Sequence, residues 1–253
     1  MDQKTANKCI QLTAEFYKEV AASFSETRQS PWNGWEKALE SVSFPEDFKL
    51  LDVACGNMRF EKFLESFGVT PSKIVCVDNC EEFGNFKSGT NLPYEFNKVD
   101  LLKNFGQSKS GTNFRNEKFD LVVCFGFFHH IPGKERRAEF LKKLILSLAP
   151  ISEDQFPHLI ISFWEFMKDE RIAKKAIETT ERVKEAYGLS LEENDYFLGW
   201  QDREDVFRYC HNFSDGEIEA MVEEVTGVEL VTSFLEDGKN HDLNRYVVLK
   251  ASL

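Results

Sequence analysis

Three short apolar runs in this chain bring an aspartate to or near their end: "KLLDVAC" (49–55) carries Asp52, "KIVCVD" (73–78) ends on Asp78 and "YEFNKVD" (94–100) ends on Asp100. Gly56 follows the first run and permits close backbone approach where a helix begins near Asn57 or Met58. Exposed N–H groups at such a turn suit a carboxylate, ribose hydroxyls or a phosphate. Asp78 stands 22 residues after Gly56, where an acidic side chain can accept both hydroxyls of a ribose. Asp100 is placed to reach an adenine amino group. An aspartate at one strand end is an ordinary turn residue, but three in succession with this glycine predict a nucleoside-type ligand. The loop has a single glycine and Met58 would crowd a phosphate, so a pyrophosphate-bearing dinucleotide fits less well.

Strands must deliver these residues to one edge. The runs at 49–55, 73–78, 94–100, 118–125 and 158–164 are short, mostly rich in β-branched or aromatic residues, and separated by helix-sized segments. That alternation predicts a mainly parallel sheet covered on both faces. "MRFEKFLESFG" reads as a helix closed by Gly68, and "GKERRAEFLKKLILSLAP" as a helix with Phe140, Leu141, Leu144 and Leu148 on one face, ended by Pro150. "GVELVTSFLED" and "NRYVVLKASL" read as two final strands giving the sheet an antiparallel edge. The predicted fold is α/β: a doubly wound, mostly parallel seven-stranded sheet with an antiparallel terminal strand, in one domain over 1–253. An N-terminal helical segment over 1–45, broken around Ser30-Pro31, and a mostly helical insertion over 165–213 lie outside this scheme. Either they form a lid and a substrate wall at the strand carboxyl ends, or they simply cover sheet faces.

The segments "LLDVACGNMRF", "VCVDNC", "VDLL" and "FDLVVCFGFFHHI" resemble class I S-adenosylmethionine-dependent methyltransferases. The resemblance implies a Rossmann-like fold, S-adenosylmethionine as cofactor and methyl transfer as the activity. It implies that the loop with Asp52, Ala54 and Gly56 holds the methionine part, and that Asp78, next to Asn79, holds the ribose. Asp100 and Leu101 are implied to lie by the adenine, and the segment from Cys124 and Phe125 to Phe128 to line the cofactor pocket. Ala54 and Met58 stand where the family often has glycine, and Met58 is expected to narrow the pocket. "YKEVAASFSETRQSPW" (17–32) and the segment 207–250 resemble the branch that esterifies a carboxymethyl group on the wobble uridine of tRNA. In that branch Tyr17, Arg28 and Trp32 are implied to close over the cofactor, with Arg28 paired to its carboxylate, a bidentate match that guanidinium favours.

In-line displacement at a sulfonium needs positioning more than proton transfer, and a carboxylate acceptor is already ionised, so it needs a cationic anchor more than a base. His129 and His130, at the expected mouth, with Arg59, Arg208, Tyr209 and His211, are the candidates for orienting it. At least one of the adjacent histidines is expected to be a structural residue. An oxygen acceptor on modified tRNA is the leading expectation. A small-molecule acceptor is the first alternative, and a non-catalytic, partner-binding module, suggested by Met58, is the second.

The net charge of −12 disfavours non-specific attraction to nucleic acid. A tRNA would therefore need local cations: "KERR" (134–137) with Lys142 and Lys143, the pair Lys174 and Lys175, Lys239, or a basic activating subunit. "NDYFLGW" (194–200), with Tyr196, Phe197 and Trp200, offers aromatic faces to a base or packs on the core. Six cysteines without a CxxC pair fit a reducing cytoplasm and no metal site. No apolar stretch nears the roughly 20 residues needed to cross a bilayer, so neither a membrane partner nor export is expected.

Overall fold

The computed structural model of the chain describes residues 1–85, 90–104, 117–153 and 155–252. Strands β1 (Lys49–Val53), β2 (Lys73–Asp78), β3 (Glu95–Lys98), β4 (Leu121–Cys124) and β5 (His158–Trp164) pair in parallel in the order β3-β2-β1-β4-β5. Beyond β5 lies β9 (Asn244–Ala251), antiparallel to it, and β8 (Val228–Glu236) forms the edge next to β9. Because β8 is antiparallel to β9, it runs with the first five, and β9 is the single reversed strand.

Side chains alternate across the sheet with period two, yet both faces are covered, so the strands read as continuous apolar runs. Leu51, Val53, Val75, Val77 and Val122 pack in one core with Phe140, Leu141 and Leu144 of α6 (Lys134–Ile145) and Ile218 and Met221 of α8 (Asp215–Glu223). Leu50, Ile74, Cys76, Leu121 and Val123 pack in a second with Trp35 of α2 (Asn33–Leu39) and Phe60, Phe63 and Leu64 of α3 (Arg59–Phe67). Gly68 ends α3 in the left-handed conformation, φ 79°, which glycine adopts without steric cost. The short helices α4 (Glu81–Asn85) and α5 (Leu101–Asn104) follow β2 and β3.

The N-terminal helix α1 (Gln3–Glu26) starts at Asp2, whose side chain accepts from the Thr5 N–H at 3.0 Å, and the chain breaks before α2, near Pro31. Its apolar face packs on the insertion: Cys9 and Leu12 meet Val183, Phe197 and Tyr209, while Phe16 and Val20 meet Trp200 and Val206. The insertion corrects the expectation of a mostly helical segment. It contains α7 (Glu170–Tyr187), then an antiparallel hairpin of β6 (Asp195–Trp200) and β7 (Arg203–His211). The usual sequence marks of a hairpin are absent. Its two-residue turn is Gln201-Asp202, with Gln201 at φ 51° in place of a glycine, and both flanking strands bury residues without clean alternation. This α1–hairpin layer stands across from the carboxyl ends of β1 to β5. Among the described residues no helix is long and apolar enough to cross a membrane.

Candidate active site

A cavity of about 870 Å³ opens between the strand carboxyl ends and the α1–hairpin layer. The loop after β1 forms its floor and places Ala54, Gly56 and Met58 in the left-handed region at φ 61°, 55° and 56°. For a side chain with a Cβ this conformation costs about 1–2 kcal/mol. The Ala54 and Cys55 N–H groups donate to the Val77 carbonyl at 2.8 and 3.2 Å, pinning the loop to β2. A Cβ at Gly56 would meet nothing within 4 Å, so the loop is open toward the cavity there. Met58 points the other way. Its side chain is fully buried in the core shared by Leu50, Trp35 and Tyr246 and is not among the lining residues, so it does not narrow the cavity as the sequence suggested.

One wall is carboxylic. Asp78, at the end of β2, accepts the Gly56 N–H at 3.0 Å on Oδ2 and the Cys80 N–H at 2.8 Å on Oδ1. Burial raises its pKa to about 6 against the pull of these backbone donors. Asp52 is 2% exposed, lines the cavity, and makes carboxyl–carboxyl contact with the fully buried Glu61 of α3. Burial first, and then the Glu61 charge, hold Asp52 well above the usual carboxylate range. Asp100 also lines the cavity and pairs with Lys103 at 3.3 Å.

A second part of the lining carries three neighbouring guanidinium groups, with the Asp237 carboxylate also near Arg59. Arg28, between α1 and α2, lies 4.9 Å from the Phe24 ring and 5.7 Å from that of Trp200. Arg59, the first residue of α3, donates to the Ser30 carbonyl at 2.9 Å and lies over Trp32 and Trp35 at 5.3 and 5.5 Å. Arg208 of β7 sits 5.0 Å from Phe16 and 5.5 Å from Trp164, and its buried Nε has no hydrogen-bond partner. Among the described residues the arginines in ion pairs are Arg137, Arg171, Arg182, Arg203 and Arg245, and none of these three. Burial and then the neighbouring Arg28 lower Arg59 to about 10, and burial and then Arg208 lower Arg28, so both remain cationic near neutrality. The Asn57 amide donates to Ser25 Oγ at 3.1 Å and the Arg28 carbonyl at 2.9 Å, which fastens this wall to the floor.

The two adjacent histidines differ. His130 is held at both nitrogens, with Nδ1 2.7 Å from the Tyr209 carbonyl and Nε2 2.8 Å from the Tyr17 hydroxyl. A carbonyl can only accept, so Nδ1 carries the proton and Nε2 takes the hydroxyl hydrogen of Tyr17. Burial, then Arg208, depresses His130 to about 3 and it stays neutral. This contact fixes the direction of the Tyr17 hydroxyl. His129 is 5% exposed, lines the cavity, and its Nδ1 has no partner. Burial, then His130, pushes it well below the ordinary histidine value. A neutral His129 can offer one N–H or one lone pair to a ligand.

Of the sequence-predicted residues, Tyr17, Arg28, Trp32, Asp52, Ala54, Gly56, Asp78, Asn79, Asp100, Leu101, Phe125, His129, His130 and Arg208 all line this one cavity. Two are elsewhere. Cys124 is fully buried on the α6 side of the sheet, because strand alternation turns it away from the face that Phe125 reaches. His211 bonds Asp195 at 2.8 Å through Nδ1 and Glu217 at 2.8 Å through Nε2, so it is a tie between β6, β7 and α8, not an acceptor anchor. Trp35, Trp164 and Phe83 also line the cavity and were not singled out. Trp164 ends an apolar run, and Trp35 and Phe83 are lone aromatics in polar helical segments, so residue type alone gave no sign that they face a ligand. "KERR" is engaged outside the cavity: Lys134 with Glu224, Arg136 with Gln3, and Arg137 with Glu217. S-adenosylmethionine bears a carboxylate and two cationic centres, and a cavity with unpaired guanidinium groups on one wall and carboxyls on the other fits that charge pattern.

Residues 51–150 match the family described as "Methyltransferase domain". The chain is 27% identical over 146 residues to the tRNA (carboxymethyluridine(34)-5-O)-methyltransferase of Saccharomyces cerevisiae, covering 57% of this chain and 47%, about half, of that protein. It is 22% identical over 244 residues to the protein of the same name from Schizosaccharomyces pombe, covering 90% of this chain and 91% of that one. A similar solved structure is that of a methyltransferase in complex with the Haloferax volcanii Trm112 methyltransferase activator, with TM-score 0.60, 11% identity and coverage of 95% of this chain and 98% of that one.

Proposed function

From the premise that this chain is a class I S-adenosylmethionine-dependent methyltransferase, we propose that it methylates a carboxylate oxygen and that the acceptor is a modified wobble uridine of tRNA. The observation that carries this reading is the division of one cavity into a carboxylic wall and a wall of three guanidinium groups without carboxylate partners among the described residues. One anion, the cofactor carboxylate, is matched by Arg28. Two cations remain, Arg59 and Arg208, and they suit an acceptor that arrives negatively charged.

When bound, the cofactor supplies an electrophilic methyl group. Asp78 keeps free lone pairs beside its two backbone bonds and accepts the ribose hydroxyls, while Asp100, Leu101 and Phe125 border the adenine. Tyr17, aimed by His130, and Trp32 close the side facing α1. An ionised carboxylate attacks without losing a proton, so no group here has to act as a strong base. Neutral His129 orients the acceptor by a hydrogen bond, and Arg59 or Arg208 holds its charge.

For tRNA the weak point is phosphate binding. The two basic clusters are outside the cavity lining, and Lys174 pairs with Glu178 at 3.9 Å. Among the described residues, Lys18 alone adds an exposed cation to the lining beyond the three arginines and the Glu81-paired Lys98. This favours a basic activating subunit as the source of phosphate contacts, in line with the activator named in the neighbouring complex. It also keeps a small carboxylic acid as the second reading. Methyl incorporation from labelled cofactor, with bulk tRNA or small carboxylic acids offered, separates them. Base-labile label in tRNA is the expected result, and label confined to small acids overturns the tRNA acceptor.

A further inference from the structure

Behind the carboxylic wall lies an acid–acid contact that the methyl-transfer reading does not use. In the parallel register of β1 and β2, Asp52 is opposite Cys76, and both side chains belong to the face covered by α3. Glu61, in the first turn of α3, sits over them. The Cys76 thiol donates to Glu61 Oε1 at 3.1 Å. Glu61 Oε2 is buried with no donor reaching it, and Asp52 has no hydrogen-bond partner besides Glu61 among the described residues. Two carboxylates in contact, one of them fully buried, cannot both stay ionised.

The surroundings supply no compensating charge. The titratable groups near the pair are Asp78 and Cys76 from β2, Cys55 from the loop and, across the sheet, Cys124 from β4, all acidic or neutral. Burial keeps the three thiols protonated, with Cys55 pushed up beyond the ordinary range. Among the described residues no lysine, arginine or histidine forms an ion pair with Asp52 or Glu61. What the pair does have is one open side. Asp52 lines the cavity and Glu61 does not.

Resting on the cofactor assignment above, we propose that Asp52 and Glu61 share one proton while the cavity holds no cation, and release it to solvent when the positively charged cofactor enters. Glu61 is then a specificity-determining residue that never touches ligand. S-adenosylmethionine and S-adenosylhomocysteine differ by one methyl group and one positive charge. A pair that gains its second negative charge only in the presence of the sulfonium favours substrate over product, and it takes a proton back once the methyl group has left. The preference grows with pH, because a released proton is more readily lost at lower proton concentration.

Calorimetry of the full chain, without acceptor, tests this in phosphate and in Tris, whose ionisation heats differ. Near pH 7 the wild type is expected to release up to about one more proton on binding S-adenosylmethionine than on binding S-adenosylhomocysteine. The ratio of the two affinities should rise by up to about tenfold per pH unit between pH 6 and 8. Glu61→Gln should bind both, with equal proton counts and a flat ratio. Equal proton counts in the wild type overturn the proposal, and that comparison requires no variant to fold. Failure of both ligands to bind would overturn the cofactor assignment instead, so the two failures are distinct.

Discussion

The two walls of the cavity are built from different kinds of structure. The carboxylic wall stands on strand ends: Asp52 and Asp78 sit on neighbouring parallel strands whose register fixes their separation, and Asp78 is gripped by two backbone N–H groups. The guanidinium wall is assembled from a connection, a helix start and a hairpin, with Arg28, Arg59 and Arg208 coming from regions far apart in the chain. Aromatic rings of Phe24, Trp32, Trp164 and Trp200 lie against these cations, none of which forms an ion pair among the described residues, although the Asp237 charge also reaches Arg59. A ring face steadies a guanidinium without neutralising it. The cations therefore remain available to an incoming anion, whereas the carboxylic wall is already committed in part to holding its own loop.

This contrast predicts unequal consequences for mutation. Asp78→Ala should be the most damaging change, lowering S-adenosylhomocysteine affinity at least about 100-fold by calorimetry, since two charge-assisted bonds to ribose are worth roughly 3 kcal/mol. Unchanged affinity in a folded Asp78→Ala protein would sink the ribose assignment. Arg28→Ala should cost about tenfold or more, and Arg28→Lys should recover only part, because an ammonium cannot reproduce a bidentate fork. Equal losses for alanine and lysine would mean that Arg28 acts by packing alone.

Asp78 has its folded pKa raised from 3.8 to about 6, so the stability contributed by its protonated form is full below about pH 4 and is lost as pH rises through about 6. Thermal melts of the ligand-free wild type, minus those of Asp78→Asn, should show that loss in this window and a plateau above it. A difference that instead grows with pH would mean that the backbone donors outweigh burial. The smallest expected effect is on the floor between the walls. Ala54→Gly should stabilise the protein by up to about 1 kcal/mol in denaturant unfolding, because it removes a Cβ from a left-handed position. Destabilisation would show that the strain is already offset by the Ala54 side chain's own contacts.

The same contrast governs what was legible in the sequence. The carboxylic wall could be read, because each aspartate sits at or near the end of a short strand-like run and the spacing from Gly56 to Asp78 carries its own physical meaning. The five parallel strands β1 to β5 followed from alternation of strand and helix, and the final strand pair from two apolar runs joined by a polar loop. The hairpin β6–β7 was lost in a predicted helical insertion, since Gln201-Asp202 is not a recognisable turn. With it was lost the reason why Arg208 points inward while His211, three residues on along the same strand, is claimed by Asp195 and Glu217. Met58 misled for a related reason. Residue type alone suggested a side chain in the pocket, but its left-handed backbone sends the thioether into the core.

Asp237 offers a last consequence. It accepts the Gly34 N–H, the Asn244 amide at 3.0 Å and the Tyr246 hydroxyl at 2.6 Å, and a Cβ on Gly34 would lie 2.1 Å from the Tyr246 ring. The segment that carries Trp32 and Trp35 is thus seated on β9, a strand made more than 200 residues after it. During synthesis the early helices must wait for their support. The chamber can be completed only after Tyr246 has left the ribosome, so on the proposed assignment a nascent chain truncated before β9 should be unable to trap the cofactor even though Asp52, Asp78 and Asp100 have already been made.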